Sequence, residues 1–363
     1  MVGHKKQTPR PQTVAANSPV IGESASASSS TEKSRLAVLL MNGWRRRWAR
    51  SITTKKITVP AAADAVAAVI GDREFIIQGD RRFTYAQIVE RSNRLAGYLH
   101  SRGLGCHPER GQLAGHEVGQ DLLGIYAHNG PEYVEGMLGA WRARVAPFNV
   151  NYRYVKSELQ YLLSDAGASA LLYHAAFAPR LAEVLADLPG LEVLIQIADE
   201  SGNDLLPGAV DYESIVAEGP ATAPPVQPSP DDLYVLYTGG TTGMPKGVLW
   251  RQHDIFVASF GGRSLYTGEL ATTYEEIAAR CTDSPGTTLM VLPPLMHGAA
   301  QWAVFTAMNT GQSVVFSQVT SHLDVDDVVR TIEREKVLAV TVVGDAMARP
   351  LADALERTSA DLS

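Results

Sequence analysis

The chain has 363 residues, 45% hydrophobic and 20% charged, enough to bury a large core and to build about two or three domains or subdomains. A net charge of −7 and a pI near 5.7 argue against nucleic acid as the main partner, because phosphate-backbone binding shows as a basic excess. Two lone cysteines, Cys106 and Cys281, match no zinc or disulfide spacing and fit a reducing compartment.

Residues 1–34 are rich in Ser, Ala, Pro and Thr, bury too little surface to offset their ordering entropy, and are expected to be disordered. The apolar run 36–41 is too short for a membrane span, and arginines follow it instead of preceding it, the wrong order for a secretory signal. The protein is therefore expected to be cytoplasmic, with no transmembrane segment. The basic run 45–56, beside Trp44 and Trp48, reads as a solvated extension in preference to a contact with an anionic membrane.

From residue 59 onward, apolar runs of strand length at 168–173, 192–197, 313–317 and 338–343 alternate with helical patterns at 85–102, 131–142, 156–165, 177–188, 297–309, 325–335 and 346–356. Such runs suit strands buried on both faces, so the fold class is α/β with largely parallel sheets flanked by helices. In the helix from Tyr85, Thr84 and Gln87 form a capping box, Ile88, Leu95 and Leu99 share a face, and Gly103 ends it. The irregular stretch 103–121 reads as a surface loop; its Cys106, His107 and His116 lack a fourth ligand at metal-site spacing. A proline-rich connector at 219–230 marks a subdomain boundary.

The densest chemistry lies at Tyr237-Thr-Gly-Gly-Thr-Thr-Gly-Met-Pro-Lys-Gly247. A short strand, 233–237, leads into Gly239, Gly240 and Gly243, which free the backbone to turn N–H groups toward an anion. Thr238, Thr241 and Thr242 add hydroxyls, and Lys246 adds a mobile positive charge. A Walker A loop would place Ser or Thr after its lysine and open a helix, whereas Lys246 stands between Pro245 and Gly247 and leads into Val248-Leu249-Trp250.

The stretch from Thr238 to Lys246 resembles the signature loop of the adenylate-forming superfamily, which contains acyl-CoA synthetases, luciferases and peptide-synthetase adenylation domains. The resemblance spans most of residues 70–357 and points to the acyl-CoA synthetase type. It implies that residues 59–230 and 231–363 are two parts of one large AMP-binding domain, preceded by a tail at 1–58. It also implies ATP, Mg2+ and coenzyme A as cofactors or co-substrates. A carboxylate attacks the α-phosphorus of ATP and expels pyrophosphate, and a thiol captures the acyl-adenylate. An anionic nucleophile meeting a polyanion needs positive or N–H donors around the phosphates.

By this resemblance Thr238, Thr241 and Thr242 take phosphate or magnesium-linked contacts, with Thr238 as the magnesium residue. Gly239, Gly240 and Gly243 form the backbone cradle, and Lys246 meets the β- and γ-phosphates as a catalytic residue. Pro293-Pro294-Leu295-Met296-His297-Gly298 resembles the segment at the mouth of the acyl pocket, which makes His297 a catalytic orienting group beside the carboxylate. A histidine that merely closes a turn and caps a helix is the alternative. Gln301 and Trp302 follow as acyl-pocket candidates, with core packing equally open for Trp302. Gly344, Asp345 and Ala346 end a strand where α/β sheets hold nucleotides, and by resemblance pack on adenine; a plain strand-to-helix turn explains them as well. The acidic segment 264–285 reads as an insertion near the pocket, bearing on selectivity.

The family's Tyr-Gly-x-Thr-Glu and Ser/Thr-Gly-Asp segments do not occur after Ala346, nor does the mobile C-terminal domain with its lysine. The expectation is an N-terminal portion of a synthetase that activates a hydrophobic carboxylic acid, of fatty or sterol side-chain type, first to acyl-AMP and then to acyl-CoA. The alternative is a catalytically incomplete nucleotide- or acyl-binding fragment, or an interaction module, completed by a second chain or a homo-oligomer. A generic phosphate-binding NTPase is disfavoured by the Pro245-Lys246-Gly247 ending.

Overall fold

The computed structural model describes residues 56–219, 223–240, 243–264 and 267–360. The expected tail and basic run lie outside them apart from residues 56–58, where the Lys56 ammonium meets Asp231 at 3.1 Å. Helix α1 (Val59–Ile70) opens with the Thr58 hydroxyl accepting from the Ala61 N–H and with Pro60 in the first turn. Strands β1 (Glu74–Gln78) and β2 (Arg81–Thr84) form a hairpin, and α2 (Tyr85–Ser101) begins with the expected capping box between Thr84 and Gln87.

Seven strands then build one sheet: β3 (Leu122–Tyr126), β4 (Ala146–Asn149), β5 (Ala168–His174), β6 (Val193–Ile197), β7 (Ala209–Asp211), β8 (Leu233–Gly240) and β9 (Gly243–Arg251). Their order is β7-β6-β5-β3-β4-β8-β9, and every pair is parallel except β8–β9. Strands β10 (Thr288–Val291), β11 (Ser313–Phe316) and β12 (Ala339–Thr341) join the first hairpin in a second sheet, β12-β10-β11-β1-β2, antiparallel only at β1–β2. Each sheet takes strands from both sides of the proline-rich connector.

Helices α3 (Pro131–Arg142), α4 (Lys156–Ala166), α5 (Ala178–Ala182), α6 (Tyr212–Glu218), α7 (Gln252–Ser259), α8 (Tyr274–Thr282), α9 (Gly298–Met308), α10 (Val325–Glu335) and α11 (Asp345–Arg357) cover the sheet faces. Strand alternation divides the interior. Ile125, Leu172 and Leu236 of the first sheet and Ile76, Val291 and Val314 of the second face a shared central core that includes α1, α2, α3 and α9. Tyr126, Leu171 and Val235 face outward onto α4, and Ile77, Met290 and Val315 onto α10 and α11. The architecture is five layers, α/β/α/β/α, with α3 buried along its whole length. Close approach on both sides of α3 requires glycine: a Cβ at Gly136 would lie 2.7 Å from Leu172 Cδ2, and one at Gly139 would lie 2.9 Å from Leu95 Cδ2.

Two expectations are corrected, and a third segment gains detail. The apolar run 338–343 is not a strand buried on both faces: β12 is an edge paired only with β10, and Leu338 and Val343 are 72% and 52% exposed. The pattern 177–188 yields only the short helix α5, between 3-10 turns at Ala175–Phe177 and Leu185–Asp187. These turns still point Leu181, Val184 and Leu188 inward at helix-like spacing. The segment 264–285 contains α8, whose Ile277 and Cys281 sit in the central core.

Stretch 103–121 carries the 3-10 turn Arg110–Gln112, and His107 Nε2 lies 2.8 Å from Asp121 Oδ2. Among the described residues no group of three or more His, Cys, Asp or Glu is placed to hold a metal ion, and no helix is long and apolar enough to cross a membrane.

Glu135 of α3 is buried with its carboxylate accepting from Arg91 Nε at 2.8 Å and from the Tyr212 hydroxyl; Arg91 also pairs with Glu213. Burial first, with the Glu132 charge adding to it and Arg91 opposing it, pushes the Glu135 carboxyl up to about 7 from an ordinary 4.5. A carboxyl with a raised folded-state pKa holds its proton more tightly folded than unfolded. Its stabilising contribution is thus complete below about 4.5 and is lost as pH rises through about 7. Denaturant unfolding between about pH 5 and pH 8 is expected to show stability falling with pH by on the order of 3 kcal/mol at most. Glu135→Gln should flatten that slope; an unchanged slope in the variant would place the titrating group elsewhere.

Candidate functional site

Strand β8 runs parallel to β4, so it leaves the sheet at the carboxyl end where β3, β4 and β5 also stop. That edge is where open α/β sheets hold ligands. The glycine-rich stretch is less a loop than a hairpin. Strand β8 continues to Gly240, β9 starts at Gly243, and the register sets Thr238 opposite Lys246 and Gly240 opposite Gly243. The reason is the free edge of β8, which accepts an antiparallel partner as soon as the chain turns. Gly243 has φ +139°, which L side chains rarely adopt. Thr241 and Thr242 lie outside the described residues. Thr238, Gly239 and Lys246 are exposed, and Lys246 makes no ion pair among the described residues.

The hairpin is braced from below. The Tyr237 hydroxyl donates to Asp165 Oδ2 of α4 at 2.8 Å, and the Tyr161 hydroxyl reaches the Pro245 carbonyl at 3.4 Å. Burial, with Asp165 adding to it, raises the Tyr237 phenol well beyond its ordinary range, so it remains a neutral donor.

Two buried asparagines at the strand ends join the hairpin to the turn before α9. Strands β4 and β8 pair at Phe148 and Val235, and beyond that point the Asn149 side chain takes over from the backbone. Its Oδ1 accepts from the Tyr237 N–H at 2.8 Å, while Nδ2 donates to the Tyr237 carbonyl at 2.9 Å and to the Met296 carbonyl at 2.7 Å. Asn129, just after β3, accepts from the Leu295 N–H at 2.6 Å and donates to the Pro293 carbonyl at 3.1 Å. Gly298 completes the contact, because a Cβ there would lie 2.8 Å from Leu236 Cδ2 on β8.

His297 therefore stands beside the hairpin, one residue beyond the Met296 carbonyl. Its backbone N–H donates to the Pro294 carbonyl at 3.0 Å and its own carbonyl starts α9, but its ring makes no capping hydrogen bond. The ring is exposed at the rim; partial desolvation, and then the positive charge of Arg153, hold its pKa below the ordinary value. At neutral pH it is an uncharged imidazole able to donate one hydrogen bond and accept another.

Gln301 does not face the crevice. It is 1% exposed, with Oε1 accepting from the Tyr234 hydroxyl at 2.6 Å and Nε2 donating to the Leu295 carbonyl at 2.7 Å and the Tyr133 hydroxyl at 3.3 Å. Trp302 is partly buried against the central core. Gly344 (φ +72°), Asp345 and Ala346 are exposed at the start of α11. There a cavity of about 250 Å³ is lined by Asn129, Arg153, Pro294, His322, Ala346 and Met347, among others. Thr238, Lys246 and His297 are thus brought into one neighbourhood, Ala346 lines an adjoining cavity while Gly344 and Asp345 do not, and Gln301 and Trp302 support the turn from within.

Sequence reasoning missed Asn129, Asn149 and Arg153. The available signal for the asparagines was a polar amide directly after an apolar strand run, since a buried amide must find partners.

The sequence profile of the family described as AMP-binding enzyme matches residues 63–363. A medium-chain acyl-CoA ligase, Mig, of Mycobacterium avium is 71% identical over 313 residues, which are 86% of this chain and 57% of that protein. A 3-oxocholest-4-en-26-oate–CoA ligase of Rhodococcus rhodochrous is 36% identical over 290 residues, 79% of this chain and 49% of that one. The chain spans about half the length of the curated relatives it matches. The solved N-terminal domain of FACL13 from Mycobacterium tuberculosis shares the fold, with a TM-score of 0.64 at 22% identity over 84% of this chain and 68% of that one.

Replacing Arg153 with Gln removes the like charge facing His297. The His297 ring is then expected to titrate at higher pH in an NMR titration, with the difference shrinking at high salt. An unmoved titration would show that desolvation alone sets it.

Proposed function

Because the chain belongs to the AMP-binding enzyme family, we propose that it forms the ATP- and acid-binding portion of an acyl-CoA ligase acting on medium-chain fatty acids. The observation that carries this is the 71% identity to a medium-chain acyl-CoA ligase across the segment holding the hairpin and the His297 turn. The sterol-acid ligase at 36% identity supports hydrophobic carboxylic acids more broadly and is the weaker guide to chain length.

In this reading a carboxylate oxygen attacks the α-phosphorus of ATP and the bond to pyrophosphate breaks. The coenzyme A thiolate then attacks the acyl carbonyl carbon and AMP leaves. The N–H groups of Gly239, Gly240 and Gly243 and the hydroxyls of Thr238, Thr241 and Thr242 bind phosphate oxygens, and Lys246 balances charge on the β- and γ-phosphates. What supports Lys246 in this role is its exposed position opposite Thr238, without a competing carboxylate among the described residues. Neutral His297 orients the acid by hydrogen bonding, which avoids trapping it in an ion pair. Gly344, Asp345 and Ala346 flank the nucleotide base, with Trp302 and Gln301 shaping the acyl side indirectly. Magnesium enters as the MgATP substrate complex, with Thr238 offering at most one neutral oxygen.

We take residues 59–230 and 231–363 as parts of one large domain, supported by the compact unit Thr54–Ser363 and by sheets that draw strands from both. Residues 1–58 are an extension. Cytoplasmic residence is supported by the free thiols Cys106 and Cys281. A second reading, a binding portion that needs a complementing chain or a second copy before it turns over, is favoured by the exposed edge of β12 with Leu338, Val342 and Val343.

ATP–pyrophosphate exchange by the purified chain with octanoate, decanoate or a sterol acid separates these. Exchange that requires a medium-chain acid supports catalysis by this chain; ATP binding without exchange supports the second reading. In the same preparation Lys246→Ala is expected to weaken ATP binding about tenfold, and unchanged affinity would remove Lys246 from the site.

A further inference from the structure

Resting on the ATP-and-acid reading above, we infer that Asn149 is a positioning residue that couples the phosphate hairpin to the His297 turn, so that occupancy of one sets the geometry of the other. Asn149 is 4% exposed. One nitrogen, Nδ2, holds the Tyr237 carbonyl at 2.9 Å and the Met296 carbonyl at 2.7 Å, while Oδ1 holds the Tyr237 N–H at 2.8 Å. The residues next in sequence to these two partners are Thr238 and His297. A phosphate drawing in the amides of Thr238 to Gly240 moves the Tyr237 peptide. The Asn149 amide must then follow, because at this burial no water replaces a lost partner, and the Met296 carbonyl is carried with it. Asn129 is the internal control: it grips the same turn at Pro293 and Leu295 but makes no hydrogen bond to the described residues of the hairpin.

Site-specific amide hydrogen exchange tests the coupling without requiring turnover. In the wild-type chain ATP is expected to slow exchange both at 237–240 and at 295–301. In Asn149→Leu the slowing should remain at 237–240 and vanish at 295–301, whereas Asn129→Leu should keep both responses. Slowing confined to 237–240 in the wild type, or a joint response surviving in Asn149→Leu, overturns the inference. Asn149→Asp keeps an acceptor for the Tyr237 N–H and serves if the leucine variant does not fold. If ATP changes exchange nowhere, the ATP reading fails, and the linkage is decided without ligand. Asn149→Asp should then speed exchange in both segments about tenfold, and acceleration in one segment alone overturns it.

Discussion

A helix with no exposed residue stands between the two sheets, and the rest of the molecule is arranged around the cost of keeping it there. Helix α3 carries two acids and one base into the interior: Glu132, Glu135 and Arg142. Buried charges destabilise unless each is paired and hydrogen-bonded, and here each partner comes from a different element. Arg81 of β2 meets Glu132, Arg91 of α2 meets Glu135, and Asp64 of α1 meets Arg142 at 2.6 Å with Ser92 alongside. A shift of α3 by one turn would strand all three at once. Apolar packing supplies the driving force for the layers; these pairs fix their register.

The position of α3 in turn fixes the site. Its first turn follows Asn129 and Gly130, so anchoring the helix places the Asn129 amide under the Pro293–Met296 turn. Asn149 does the same from the end of β4. Lys246 and His297 are exposed beside the strand ends, Arg153 lines the adjoining cavity, and Asp165 is occupied by Tyr237.

Much of this was legible from local rules. The capping box at Thr84 and Gln87 and the alternation of buried strands and helices follow from short-range chemistry, and each has a counterpart in the structure. What stayed hidden depends on neighbours far away in sequence. The run 338–343 has the composition of a central strand, but composition does not reveal that only β10 lies beside it. The glycines suggested a loop because nothing local shows that β8 has a free edge to pair with. Gln301 follows His297 closely enough to suggest a shared role, yet helical geometry turns it inward to Tyr133 and Tyr234. The asparagine contacts span 147 and 166 residues in sequence, beyond any window of periodicity.

The interleaving of the second sheet also sets an order of assembly. Strand β1 sits between β2 and β11, and Ile76 finds its parallel neighbour only at Val314. Every strand of the seven-stranded sheet, by contrast, lies between Leu122 and Arg251. The seven-stranded sheet therefore has all its strands within one continuous stretch of sequence, whereas the parallel neighbour of β1 lies far downstream of them. Among the described residues the first strand in sequence thus completes its pairing only with one of the last, so this sheet closes over a separation of more than two hundred residues, a contact of the slow-forming, non-local kind.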